Sequence, residues 1–129
     1  MKAHHIGYLV KDMQSSRRAF ESLGFAEVSA LCHDTDREIN ILFMENNGHV
    51  VELISPTSDT SVVTNLINKY ANMAYHICYE TESIEESTKE LKAQGFVMTA
   101  KPKPASALDN HRVAFFYNKS VGMIELLEV

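Results

Sequence analysis

His5-Ile6-Gly7-Tyr8 opens a stretch that closes at Gly24-Phe25, and His76-Ile77-Cys78-Tyr79 opens another that closes at Gly95-Phe96. The two align without a gap at a constant offset of 71 residues (76 minus 5, 96 minus 25). The match continues further on, where Val51-Glu52-Leu53-Ile54 reads like Ile124-Glu125-Leu126-Leu127. The chain therefore holds two copies of one unit, too few for a solenoid. A duplicated fold with a quasi-twofold axis offers two histidines and two carboxylates at equivalent positions. That is a ready way to build a four-ligand metal site between the halves.

Each copy reads βαβββ. His4 to Val10 suits a strand, being short, apolar and rich in β-branched and aromatic residues. Asp12 is a good helix N-cap; Met13, Ala19, Phe20 and Leu23 form an apolar stripe, and Gly24 stops the helix. Ala26 to Cys32 and Glu38 to Met44 read as strands around a polar turn at His33-Asp34-Thr35-Asp36. Asn46-Asn47-Gly48 then predicts a tight hairpin turn into His49 to Ile54, since Asn-Gly supplies positive φ angles. Pro56 ends this unit, and Ser58 to Tyr70 reads as a linking helix capped by Asp59 or Thr60.

In the second copy, Ala74 to Tyr79 is a predicted strand and Ser83 caps a helix ending at Gly95, with Ile84, Ser87 and Leu91 inward. Phe96 to Thr99 is a strand, and Val113 to Tyr117 with Gly122 to Glu128 makes the closing hairpin. Lys101 to Asn110 has no counterpart of similar character in the first copy and reads as a loop. The expected fold is α+β, one domain over 1–129 made of a module at 1–56, a linker helix at 57–72 and a second module at 73–129.

Composition bounds what such a fold can do. With 129 residues, 45% of them hydrophobic, there is material for one core and no more. A net charge of -5 argues against nucleic-acid partners, which need a basic excess. The apolar runs are strand-sized, so neither a membrane span nor a signal peptide is expected, and a cytoplasmic location follows. Cys32 and Cys78 lack zinc-ribbon or redox spacing and read as reduced residues.

Strand parity tests the metal idea, because residues two apart share a face. Ile6, Tyr8 and Val10 suit packing beneath the helix, which sends His5 to the opposite, concave side. By the same logic His76 and Cys78 part from Ile77 and Tyr79. Glu52 parts from Val51 and Leu53, and Glu125 from Ile124 and Leu126. A carboxylate inside Val-Val-Glu-Leu-Ile or Met-Ile-Glu-Leu-Leu is costly to bury without positive compensation. Taken singly, each of these four is more often a surface or hydrogen-bonded residue. Their matched positions shift the balance to His5, Glu52, His76 and Glu125 as ligands of one divalent ion. Zinc, nickel, cobalt, iron and manganese all suit that donor set, and calcium is disfavoured by the imidazoles.

The remaining histidines read more weakly. His4 has the wrong parity, His33 sits in a turn and His49 beside a hairpin. Lys101, Lys103, His111 and Arg112 form the densest basic cluster of an acidic chain. With Asn110 beside them, they read equally as a solvated charged loop or as a clamp for the anionic group of a small substrate.

The βαβββ duplication, with His5-Ile6-Gly7 at the start, Val51 to Pro56 in the middle, Tyr75-His76-Ile77 in the second copy and Ile124 to Glu128 at the end, resembles the vicinal oxygen chelate superfamily over the whole chain. Methylmalonyl-coenzyme A epimerases and bacterial glyoxalase I enzymes are the members it is most similar to. The resemblance implies the glyoxalase-like fold, a curved mixed sheet around a cleft, and a homodimer. It places metal ligands at His5, Glu52, His76 and Glu125. It also implies an isomerase or lyase that moves a proton beside a carbonyl through an enediolate or enolate, on a thioester or a glutathione adduct. Glu125 is the favoured base, with Glu52 as its symmetry mate for reprotonation from the other face. Two alternatives share the fold: an iron-dependent ring-cleaving dioxygenase using His5, His76 and Glu125, and a metal-free ligand-sequestering resistance protein. The chain departs from the epimerase pattern at 104–111 and 117–120, and it offers Asn40 where some epimerases carry a third-strand carboxylate.

Overall fold

β1 (Lys2–Leu9) leads to Asp12, whose carboxylate accepts a hydrogen bond from Ser15 N at 2.9 Å and starts α1 (Met13–Ser22). The computed structural model describes residues 1–129. The chain divides into two compact units, His5–Tyr75 and Met1–His4 with His76–Val129.

In the first unit, β4 (Ile39–Asn46) and β5 (His49–Pro56) form a continuous antiparallel ladder, and β5 pairs in parallel with β1 from Ile6↔Val51 to Leu9↔Ile54. The hairpin turn falls where Asn-Gly predicts it, with Asn47 at φ 50° and Gly48 at φ 84°. Val10, Leu42, Met44, Val51 and Leu53 form a buried cluster that Tyr8, Met13, Phe20 and Phe25 cover. This is the helix side of the sheet, as the alternation requires.

Three expectations change here. The strand foreseen over Ala26 to Cys32 is broken into β2 (Ala26–Glu27) and β3 (Cys32–Asp34), both antiparallel to β4. Between them the Ser29 hydroxyl accepts a bond from Phe43 N at 3.4 Å, a side chain standing where a backbone carbonyl would continue the ladder. His33 and Asp34 lie in β3, and the turn follows at 35–38. It is held by Asp34, which accepts bonds from both Arg37 N and Arg37 Nη1 at 2.9 Å. The linking helix α2 runs only Thr64–Tyr70 and has no side-chain cap. The hydroxyls of Ser58 and Thr60 donate to Glu38 at 2.8 to 2.9 Å, and the Ser58 oxygen accepts from Thr60 N at 3.2 Å, which ties this segment to Glu38 ahead of the helix.

The second unit repeats the plan with β6 (Met73–Thr81), α3 (Ile84–Ala93), β7 (Val97–Pro104), β8 (Arg112–Asn118) and β9 (Gly122–Glu128). β6 and β9 are parallel, and β9, β8 and β7 form an antiparallel run. Ser83 caps α3 through its hydroxyl, which accepts from Glu86 N at 3.2 Å. Ile84, Ala114, Phe116, Ile124 and Leu126 make the buried cluster on the helix side. On the opposite face lie Cys78, Ala105, Val113 and Leu127, with Leu108 and Phe115 against them.

Lys101 to Asn110 is not a loop throughout. Lys101 to Pro104 belong to β7, and a short 3-10 turn occupies Ser106–Leu108. Pro102 and Pro104 suggested irregular chain because they donate no backbone bond, but a strand with one open edge tolerates that loss. The cost appears as register shifts between Met98 and Ala100 and between Ala100 and Lys103. Nine strands and three α-helices thus make an α+β protein of two βαβββ modules, with β2 and β3 sharing one strand's place.

Candidate functional site

Each unit brings one histidine and one glutamate together. In the first, His5 on β1 places Nε2 at 2.5 Å from Glu52 Oε2 on β5, and the side chains are 0% and 8% exposed. In the second, His76 Nε2 on β6 lies 3.1 Å from Glu125 Oε2 on β9, with exposures of 1% and 6%. Glu52 stands directly beside Gly7 in its parallel ladder, and Glu125 beside Cys78 in the other. All four ligand candidates thus leave the helix side of their sheets, as parity predicts.

The Glu52 pair carries a physical test of what it could hold. Its Oε2 is buried and accepts no hydrogen bond of ordinary geometry, although an imidazole nitrogen is beside it. A buried carboxylate oxygen in that state is costly. A cation bound by the nitrogen and the oxygen together would remove the cost, and imidazole with carboxylate is a donor set for borderline divalent ions. The residues therefore fit a metal.

Aromatic rings complete each couple, and the sequence reading missed them. Phe43 on β4 is the cross-strand partner of Glu52, and its ring lies 5.3 Å from that of His5 at an interplanar angle of 79°. Phe115 on β8 is the partner of Glu125, and its ring lies 5.4 Å from that of His76 at 88°. The signal was present: both follow the repeat, within Ile41-Leu42-Phe43-Met44 and Val113-Ala114-Phe115-Phe116.

The basic cluster lies along the end of β7, the turn after it and the start of β8, where Pro104 and Arg112 are cross-strand partners. Lys101 and Lys103 are exposed on β7, and Asn110 turns with φ 60°. His111 Nδ1 is 2.9 Å from the Glu128 carbonyl oxygen. Arg112 donates to both oxygens of Glu128 and both oxygens of Glu85, at 2.8 to 3.1 Å. These carboxylates, Glu85 ahead of Glu128, hold its guanidinium further in the charged form than usual. Arg112 in turn holds the Glu85 carboxyl below its ordinary range. Glu128 is also lowered, first by the Ile84 backbone N–H and then by Arg112. Asn40 has the parity of Leu42 and Met44, opposite to Phe43, and its Oδ1 is 3.0 Å from His33 Nδ1.

Residues 4–115 match the family described as the glyoxalase/bleomycin resistance protein/dioxygenase superfamily. The chain belongs to that superfamily. Among its relatives is an ethylmalonyl-CoA/methylmalonyl-CoA epimerase of Cereibacter sphaeroides, 24% identical over 131 residues that cover 99% of this chain and 98% of the relative. Of solved structures, a hypothetical protein from Bacillus halodurans superposes with a TM-score of 0.87 at 26% identity, over 99% of this chain and 94% of the other. Methylmalonyl-CoA epimerase from Mycobacterium tuberculosis superposes with a TM-score of 0.83 at 20% identity, over 98% and 87% of the two chains. The superfamily membership agrees with the glyoxalase-like fold that the resemblance implied. No helix is long and apolar enough to cross a membrane.

Proposed function

We propose that this protein is an epimerase that transfers a proton at the carbon next to the carbonyl of an acyl-CoA thioester, using one divalent ion held by His5, Glu52, His76 and Glu125. The observation that carries the reading is the repeated buried His–Glu couple, one in each unit, with a Glu52 oxygen that lacks a hydrogen bond. Support for the substrate class comes from the epimerase of Cereibacter sphaeroides, which is similar over nearly its whole length. All four side chains are buried and of metal-ligating type.

When bound, the ion supplies positive charge that stabilises the enolate formed as the proton leaves. Glu125, released from the ion or held loosely by it, takes the proton from the α-carbon, kept in place by β9 between the helix-side residues Ile124 and Leu126. Glu52, its equivalent in the other copy, would be protonated and released from the ion, and it returns that proton to the opposite face, which inverts the centre. Val113 and Leu127, buried on the Glu125 face, keep water from that carboxylate. Lys101 and Lys103 meet the anionic part of the substrate as the exposed cations of the basic cluster, with Asn110 and His111 at the following turn and Arg112 anchoring it.

The test is exchange of the α-proton of methylmalonyl-CoA with deuterated solvent. Metal-loaded protein should incorporate deuterium and interconvert the epimers, and Glu125→Gln should lose about 100-fold or more of the interconversion rate. Absence of exchange by the loaded wild-type protein across acyl-CoA thioesters would sink the proposal.

A further inference from the structure

The same three residue types recur in both units: an imidazole, a carboxylate beside its Nε2, and a phenyl ring that crosses the imidazole nearly at right angles. The two phenyl rings are placed by register rather than by chance packing. Phe43 sits directly across the β4–β5 ladder from Glu52, and Phe115 directly across the β8–β9 ladder from Glu125. Neither belongs to the helix-side cluster of its unit. Their neighbours in sequence do that packing, namely Leu42 with Met44, and Ala114 with Phe116. Phe43 is 7% exposed on its face of the sheet, so it is committed to the couple's surroundings.

From this repetition we propose that Phe43 and Phe115 are positioning residues, which fix the ring planes of His5 and His76 so that each Nε2 lone pair is aimed at the ion. The inference rests on the metal reading above. An imidazole binds a metal well only along the direction of its nitrogen lone pair, and rotation about the Cβ–Cγ bond swings that direction away. Outer contacts ordinarily hold metal-bound histidines, and their loss costs about 10–100-fold in affinity. A perpendicular aromatic pair has a preferred geometry that a branched aliphatic side chain cannot reproduce. The phenyl rings also keep the glutamates in apolar surroundings, where their attraction to a cation is less screened.

The experiment uses the full chain loaded with cobalt(II), whose visible absorption reports ligand geometry. Affinity is read by competition with a chromogenic chelator, and folding by the melting curve of the metal-free protein. Phe43→Leu should melt cooperatively without metal yet bind cobalt about tenfold more weakly and with an altered visible spectrum. Phe115→Leu should do the same, and it stands in if the first variant does not fold. Phe43→Tyr retains the ring and should restore both affinity and spectrum. Leucine variants with wild-type affinity and spectrum would overturn the positioning role while leaving the metal site intact. Wild-type protein that binds no cobalt would instead overturn the metal reading and this inference with it, before any phenylalanine is changed.

Discussion

Arg112 meets Glu128 side-on, donating from Nε at 2.9 Å and from Nη2 at 2.8 Å to the two carboxylate oxygens. Because Glu128 also accepts from Ile84 N at 3.0 Å, one carboxylate ties the end of β9 to the start of α3 and to β8. Glu85 closes the network on the far side of the guanidinium. An isolated exposed pair contributes little, but bidentate geometry and a third partner are the conditions under which such contacts matter.

Arg112→Ala is therefore expected to lower the melting temperature by roughly 2–5 °C. Substrate KM should change little. A raised KM with unchanged melting temperature would assign Arg112 to the substrate instead. The same network makes stability depend on acid. Glu85 and Glu128 both have lowered folded-state values against an ordinary 4.5. Their contribution is thus full above that pH and fades as pH falls through the lowered values. Melting curves measured downward from pH 5 should lose stability more steeply in the wild type than in Arg112→Ala, and parallel curves would contradict the linkage.

The residues that disclosed the site were those whose chemistry is fixed by the local chain. Alternation alone separated Glu52 from Val51 and Leu53, and the repeat then located Glu125, so both His–Glu couples were legible as pairs. Asp12, Ser83 and Asn47-Gly48 were legible too, since caps and tight turns act within four residues. Long-range competition was not. Nothing near Ser58 and Thr60 reveals that Glu38 takes both hydroxyls and ties that segment down outside α2. Glu128 lies far along the chain from Glu85, so Arg112 looked like an open cation. Pro102 and Pro104 hid β7 because the open edge that tolerates them is a property of the assembled sheet.

Ser83→Ala removes the hydroxyl that accepts from Glu86 N, at an expected cost of about 1 kcal/mol. Chemical denaturation should show the shift in midpoint without a change in slope. Gly48→Ala should cost a similar ~1 kcal/mol. At φ 84° no atom lies within 4 Å of the added Cβ, so that cost is purely conformational. Gly48→Asn, a residue that adopts positive φ more readily, should recover part of it. Equal stabilities for Ala and Asn at this position would contradict the turn geometry.

A metal that binds only the folded chain must raise its melting temperature, by an amount set by concentration over Kd. Zinc at about 100 times Kd corresponds to roughly 2.7 kcal/mol of added stability. Chelator-treated wild-type protein should regain that increment on reloading, whereas His5→Ala and His76→Ala should melt at the same temperature with and without zinc. Calorimetry decides the matter directly. An undiminished zinc-dependent increment in both alanine variants would place the ion elsewhere.

The equivalence of Glu52 and Glu125 in the two modules makes a sharper demand on the chemistry than loss of activity. If each carboxylate serves one face of the α-carbon, removing one should spare exchange from that carbon's other configuration. Glu125→Gln should fail to exchange the α-proton of one methylmalonyl-CoA epimer and still wash deuterium into the other, and Glu52→Gln should do the reverse. Neither variant should interconvert the epimers at more than about one-hundredth of the wild-type rate, because inversion needs both proton transfers. Glutamine keeps a carbonyl oxygen as a metal donor, and metal content measured on the same samples separates loss of a base from loss of the ion. Pure epimers incubated in deuterated water and followed by mass spectrometry give the four rates required. If Glu125→Gln abolishes exchange from both epimers while retaining metal, and Glu52→Gln abolishes it from neither, Glu125 works alone and the symmetric division of labour is wrong. The reverse outcome exchanges the two roles, and normal exchange in both variants removes the carboxylates from proton transfer altogether.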